Sequence, residues 1–163
     1  MAEQHFIGVD VGTGSARAGV FDAKGRQLGV GKHDIKLFQA AGGIAEQSSE
    51  DIWAAVCRSV RQAVSAAGVA PESIAGIGFD ATCSLVVLGE GGRPLSVSAS
   101  GEPDRNIIVW MDHRAREQAA RINRGGHAVL RYVGGSISPE MQTPKLLWLK
   151  EQMPQSFAAA WQF

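Results

Sequence analysis

The sequence predicts an α/β protein on a mixed sheet, antiparallel at its start and continued through helical crossovers. Two observations carry this prediction. Three short β-favouring runs follow one another across turns of a few residues, and a long amphipathic segment then precedes a further strand-like run. Turns that short join antiparallel neighbours, whereas a crossover of a dozen or more residues is what returns a parallel strand.

The first strand is the run Phe6-Ile7-Gly8-Val9-Asp10-Val11, ended by the turn-forming Gly12-Thr13-Gly14-Ser15. Alternation resumes over Ala16–Phe21, breaks at Asp22-Ala23-Lys24-Gly25 and restarts from Leu28 to Ile35. A helix should begin after Ser48, with Asp51 three residues on as an acidic variant of the capping box. Ile52, Trp53, Val56, Cys57, Val60, Ala63, Val64 and Ala67 recur at helical spacing, and Gly68 with Pro71 stops the helix. Ile74–Asp80 reads as a glycine-thinned strand, Ser84–Leu88 as another, and Ile107–Trp110 as a short one. Asp112 is placed to cap a helix reaching about Asn123, Ala128–Val133 is a weaker helix, and Thr143-Pro144 reads as the cap and first position of a helix that Pro154 ends.

Composition narrows the function classes. With 163 residues, 45% apolar, the chain is the size of one domain with material for a core. Sixteen basic side chains balance sixteen acidic ones, which argues against nucleic acid or an anionic membrane as partner. Cys57 and Cys83 are too few for a disulfide scaffold and lack zinc-site spacing, so a reducing cytoplasm is the expected compartment. No apolar run reaches the roughly 18 residues of a membrane span, and the N-terminus has no secretory pattern. His5, His33 and His127 have no partners at ligand spacing and are expected at the surface; Trp148 and Trp161 are expected to pack.

Three clusters could carry chemistry. In Asp10-Val11-Gly12-Thr13-Gly14-Ser15-Ala16-Arg17, glycines allow close approach of backbone N–H groups to a phosphate, hydroxyls add donors, Arg17 adds a guanidinium and Asp10 can hold hydrated magnesium. A strand follows where a dinucleotide fingerprint needs a helix, and no P-loop motif occurs, so both of those readings fail. An ordinary hairpin is the alternative. Asp80 with Thr82, Cys83 and Ser84 ends a strand expected to run parallel to the first, which would bring Asp10 and Asp80 to one sheet edge as a cation or polyol site. A turn-capping Asp is the alternative there. Trp110-Met111-Asp112-His113-Arg114 combines an aromatic wall with charged hydrogen-bonding groups, as a sugar pocket requires, the alternative being a core Trp, a capping Asp and a solvated Arg. Lys145 opens a helix and could aim its ammonium into a cleft or lie on the surface.

Taken together, Ile7–Arg17, Gly78–Ser84 and Trp110–Arg114 resemble the FGGY carbohydrate kinases, in order, spacing and intervening helix. Phe79–Ser84 and Ser138–Leu149 look most like the ribulokinase-type branch, which acts on D-ribulose or related pentuloses and pentitols. Xylulokinases carry Gln-Met-His where this chain has Ala81-Thr82-Cys83, and glycerol kinases an Arg-Glu pair, so neither substrate is the first choice.

The resemblance implies the ribonuclease-H-like architecture of actin, hexokinase and heat-shock ATPases, incomplete at its C-terminus. It implies ATP and Mg2+ at Asp10, Gly12, Thr13, Gly14, Ser15 and Arg17, the metal held by Asp10 through water. It implies a sugar or polyol lined or supported by Asp80, Thr82, Trp110, Asp112, Arg114 and Lys145. Because family members run several times longer, residues 1–163 are expected to be the first part of the N-terminal domain. The catalytic base would then lie beyond Phe163, with the adenine-holding domain. Alone, the chain is expected to be inactive. A homodimer is compatible with this reading, and nucleic acid or membrane partners are not expected. The rival readings are a non-catalytic actin-like scaffold and a ribonuclease-H-like nuclease using Asp10, Asp80 and Asp112.

Overall fold

The computed structural model describes residues 3–163. The chain divides into two compact units, one of residues up to Lys36 with Glu50–Thr82, the other of Leu37–Ser49 with Cys83–Phe163.

The first unit is built on the expected sheet. Strands β1 (His5–Val11), β2 (Ser15–Asp22), β3 (Gln27–Asp34) and β6 (Ile74–Ala81) lie in the order β3-β2-β1-β6. The first two pairings are antiparallel and β1 runs parallel to β6, as a helical crossover between them requires. Alternation fixes which side is buried: Ile7 and Val9 of β1 and Ala16, Ala18 and Val20 of β2 join Ala55, Val56 and Ala63 of the helix α1 (Ser49–Ala67) in one core. Of these, the Ile and Val side chains contribute about 1.5–3 kcal/mol each when fully buried, and the alanine methyls less. Gly29 and Gly31 let α1 approach β3, since a Cβ at Gly31 would lie 2.1 Å from the Ser59 carbonyl oxygen. Helix α1 stops at Gly68, whose φ of +64° suits the left-handed stop predicted for it. His5 is buried and bonded to Ser73 Oγ at 2.8 Å, which corrects its expected surface placement.

The second unit holds a sheet that periodicity did not predict, ordered β4-β5-β8-β7 from β4 (Phe38–Ala40), β5 (Ile44–Gln47), β7 (Leu85–Val86) and β8 (Ile107–Ile108). Its first hairpin turns through Gly42 and Gly43, both at positive φ. Strands expected over Ser84–Leu88 and Ile107–Trp110 are shorter; the second ends early because the Asp112 N–H closes a turn onto the Val109 carbonyl at 2.9 Å and takes the chain out of the ladder. Helices α2 (Arg116–Arg124), α3 (Gln142–Gln152) and α4 (Pro154–Ala159) follow, and Ala128–Val133 is a 3-10 helix. Two helix starts are corrected. Ala115, not Asp112, precedes α2, and α3 begins at Gln142 with Pro144 inside its first turn. Pro154, expected to end a helix, opens α4 after a break at Met153. Leu85, Val87, Val97, Ile108 and Leu149 form this unit's core with Trp148 against it, while Trp161 is 65% exposed rather than packed.

Candidate functional site

In the first unit, strand register brings the predicted phosphate residues together. Asp10 is paired across the sheet with Arg17 on β2 and with Asp80 on β6. Asp10 and Arg17 form an ion pair of 2.8 Å, each about half exposed. With Asp80 and Lys32 they border a depression of about 810 Å³ on the sheet face opposite α1, floored by Gly8, Gly19 and Gly78. Asp80 therefore lies beside Asp10 and Arg17, and its Oδ1 accepts the Ala81 N–H at 3.0 Å. Thr82 continues from β6, donating its N–H to the Val11 carbonyl at 3.1 Å.

The connecting loop is only partly free to bind. The Gly12 N–H closes the turn onto the Ser15 carbonyl at 3.0 Å, so it is not available to an anion. A Cβ at Gly12 would lie 3.1 Å from Arg17 Nη2, so the guanidinium lies close over the loop. Gly14 has open space where a Cβ would be. Magnesium keeps several waters and takes one or two carboxylates. Two exposed carboxylates in register, Asp10 and Asp80, fit such a hydrated ion, and Arg17 fits a phosphate oxygen.

In the second unit, a depression of about 640 Å³ is lined by Cys83, Ser84, Trp110, Glu140, Met141 and Lys145 among others. Trp110 is 36% exposed there. Its main-chain N–H donates to Ser84 Oγ at 3.1 Å, and its carbonyl accepts from Lys145 Nζ at 2.9 Å. Lys145 is 1% exposed and also donates to the Val109 carbonyl at 2.8 Å. Burial pushes its ammonium pKa down, opposed by the nearby Asp112 and Glu140 carboxylates. Glu140 bonds His113 Nε2 at 2.8 Å.

Asp112 and Arg114 lie behind this wall. Asp112 Oδ1 accepts from Arg114 N and Nε at 2.8 and 2.9 Å, and Oδ2 from Ala45 N and Arg114 Nη2 at 2.7 and 2.8 Å. Four bonds fill the acceptor sites of a carboxylate, leaving none for a ligand. Arg114 also donates to the Val97 carbonyl and to Glu46 Oε1, both at 2.8 Å, and stacks 4.8 Å from the Trp148 ring centroid. Glu46, 3% exposed, is the member that sequence reading missed; an acid in the half-apolar Ile44-Ala45-Glu46 run was its only signal.

A sequence profile for the FGGY family of carbohydrate kinases, N-terminal domain, matches residues 5–163. An FGGY carbohydrate kinase domain-containing protein of Xenopus laevis is 52% identical over 151 residues, covering 93% of this chain and 27% of that protein. A D-ribulokinase of Saccharomyces cerevisiae is 48% identical over 150 residues, covering 91% of this chain and 21% of that protein. Among solved structures, a gluconate kinase from Lactobacillus acidophilus superposes with a TM-score of 0.82 at 26% identity, over 98% of this chain and 30% of that one. The chain thus spans about a fifth to a third of the length of these relatives. Their common fold is the actin- and hexokinase-like ATPase architecture.

Proposed function

The chain belongs to the FGGY family of carbohydrate kinases, and from that premise we propose that it serves ATP-dependent phosphorylation of a pentulose or pentitol of the D-ribulose type. The observation that carries the proposal is the depression of the second unit, where Trp110, Cys83, Met141 and Glu140 line one cavity. An apolar wall with a few convergent polar groups suits a small polyol. The 48% identity to a D-ribulokinase favours the pentulose class.

In this reading the first unit holds the phosphates. Arg17, oriented by Asp10, pairs with phosphate oxygens, and Asp10 with Asp80 holds hydrated magnesium, which when bound neutralises charge on the transferring group. Trp110 presents its face to the carbon skeleton, while Glu140 meets hydroxyls. Asp112 and Arg114 support this wall from behind. The base that takes the hydroxyl proton, and the adenine site, are assigned to further sequence of the length its relatives have. The cytoplasm, where Cys57 and Cys83 stay free thiols, is the compartment proposed.

The test is a coupled ADP-release assay of the full-length protein on a panel of ketoses and polyols. Turnover should be highest on a pentulose or pentitol. No turnover on any of them rejects the substrate class.

A further inference from the structure

Trp110 leaves β8 in a turn, so no sheet ladder holds it. Its two main-chain polar groups are instead taken by side chains distant in sequence: Ser84 Oγ accepts its N–H at 3.1 Å, and Lys145 Nζ donates to its carbonyl at 2.9 Å. The same ammonium donates to the Val109 carbonyl at 2.8 Å, which also accepts the Asp112 N–H closing the turn at 2.9 Å. A lysine has three donors, and two are committed here to adjacent carbonyls. At 1% exposure, Lys145 offers almost no surface to a solute.

Burying an ammonium is costly, and this one lies in contact with backbone, with no ion pair of its own among the described residues. Its charge is balanced at longer range by Asp112 and Glu140, and its bonds to carbonyls are charge-assisted. The outcome is a clamp from the first turn of α3 to the turn that carries the indole.

We propose that Lys145 and Ser84 are positioning residues for Trp110, fixing its main chain from both sides so that the ring stands as the sugar-facing wall. The wall's role in sugar binding rests on the proposed function; the positioning does not. Lys145 acts here through Trp110 and is not itself a sugar ligand.

The experiment is the indole and amide NMR spectrum of the 15N-tryptophan-labelled chain, with Ser84→Ala, Ser84→Thr and Lys145→Met. Ser84→Ala should displace the Trp110 signals while those of Trp53 stay in place, and Ser84→Thr, which keeps the acceptor, should restore them. Lys145→Met should displace the same signals; should that variant fail to fold, the Ser84 pair decides alone. In the full-length protein Ser84→Ala should raise the sugar KM by up to about tenfold, the factor for one hydrogen bond of ordinary strength, with kcat and the ATP KM changing less than about twofold. Trp110 signals that ignore Ser84→Ala, or that move equally in Ser84→Thr, overturn the positioning. If the signals behave as stated but no pentulose or pentitol is turned over, the positioning stands and the substrate reading alone falls.

Discussion

Arg114 grips Asp112 through both carboxylate oxygens, Nε to Oδ1 at 2.9 Å and Nη2 to Oδ2 at 2.8 Å, with the two side chains 3% and 0% exposed. Removing one member of so buried a pair strands the other. Arg114→Ala should therefore cost about 3–5 kcal/mol of stability. Glu46, whose Oε1 takes the remaining Arg114 Nη2 bond, should share the effect in Glu46→Ala. Thermal or denaturant unfolding checks both, and a loss under about 1 kcal/mol in either would show that the network is not cooperative.

Asp10 contrasts with Asp112 because its side chain is 53% exposed and its partner Arg17 is 55% exposed. An exposed pair contributes about 0–1 kcal/mol, so Asp10→Asn should leave the melting curve nearly unchanged. In the full-length protein it should lower kcat by about 10²-fold, as loss of one electrostatic stabiliser does. Wild-type turnover in Asp10→Asn would make the hairpin structural.

The contact of α1 with β3 depends on absent side chains. A Cβ at Gly29 would lie 2.4 Å from the Ala67 nitrogen and one at Gly31 2.1 Å from the Ser59 oxygen, both rigid backbone atoms. Gly31→Ala should destabilise the first unit by about 1–3 kcal/mol or more, whereas Gly14→Ala, with open space around it, should not. Unfolding midpoints of the two variants give the comparison.

Acid should loosen the β2–β3 turn. Asp22 accepts the Arg26 N–H and Nε and the Lys24 N–H, and these bonds hold its carboxyl below the ordinary value of 3.8. A carboxylate lowered on folding adds stability that is complete above its unfolded pKa and is lost as pH falls through the folded one. The melting-temperature gap between wild type and Asp22→Asn should thus be constant above about pH 5 and close at lower pH. A gap that does not change with pH would contradict the assignment.

The first sheet was legible because β1 alternates cleanly and the turns that follow β1 and β2 carry Gly12, Gly14 and Gly25. The second was not, because β7 and β8 are two residues each and take their partners from distant sequence, as when Ile108 pairs with both Glu46 and Leu85. The Asp10–Arg17 cluster was readable from one hairpin. Burial of Lys145 was not, since its acceptors are carbonyls 35 and 36 residues away, and main-chain acceptors leave no mark in residue type. Asp112 looked like a helix cap because an acid preceding a helical run usually is one; here its oxygens are taken by Arg114 and Ala45.

Binding of the sugar in the Trp110 depression is tested most directly by the pair of Michaelis constants of Trp110→Ala in the full-length protein, for the pentulose and for ATP. Loss of the ring removes binding shared by ground and transition states, so the sugar KM should rise about tenfold or more while kcat and the ATP KM stay within about twofold. A rise confined to the ATP KM, or no change in either constant, would contradict the claim.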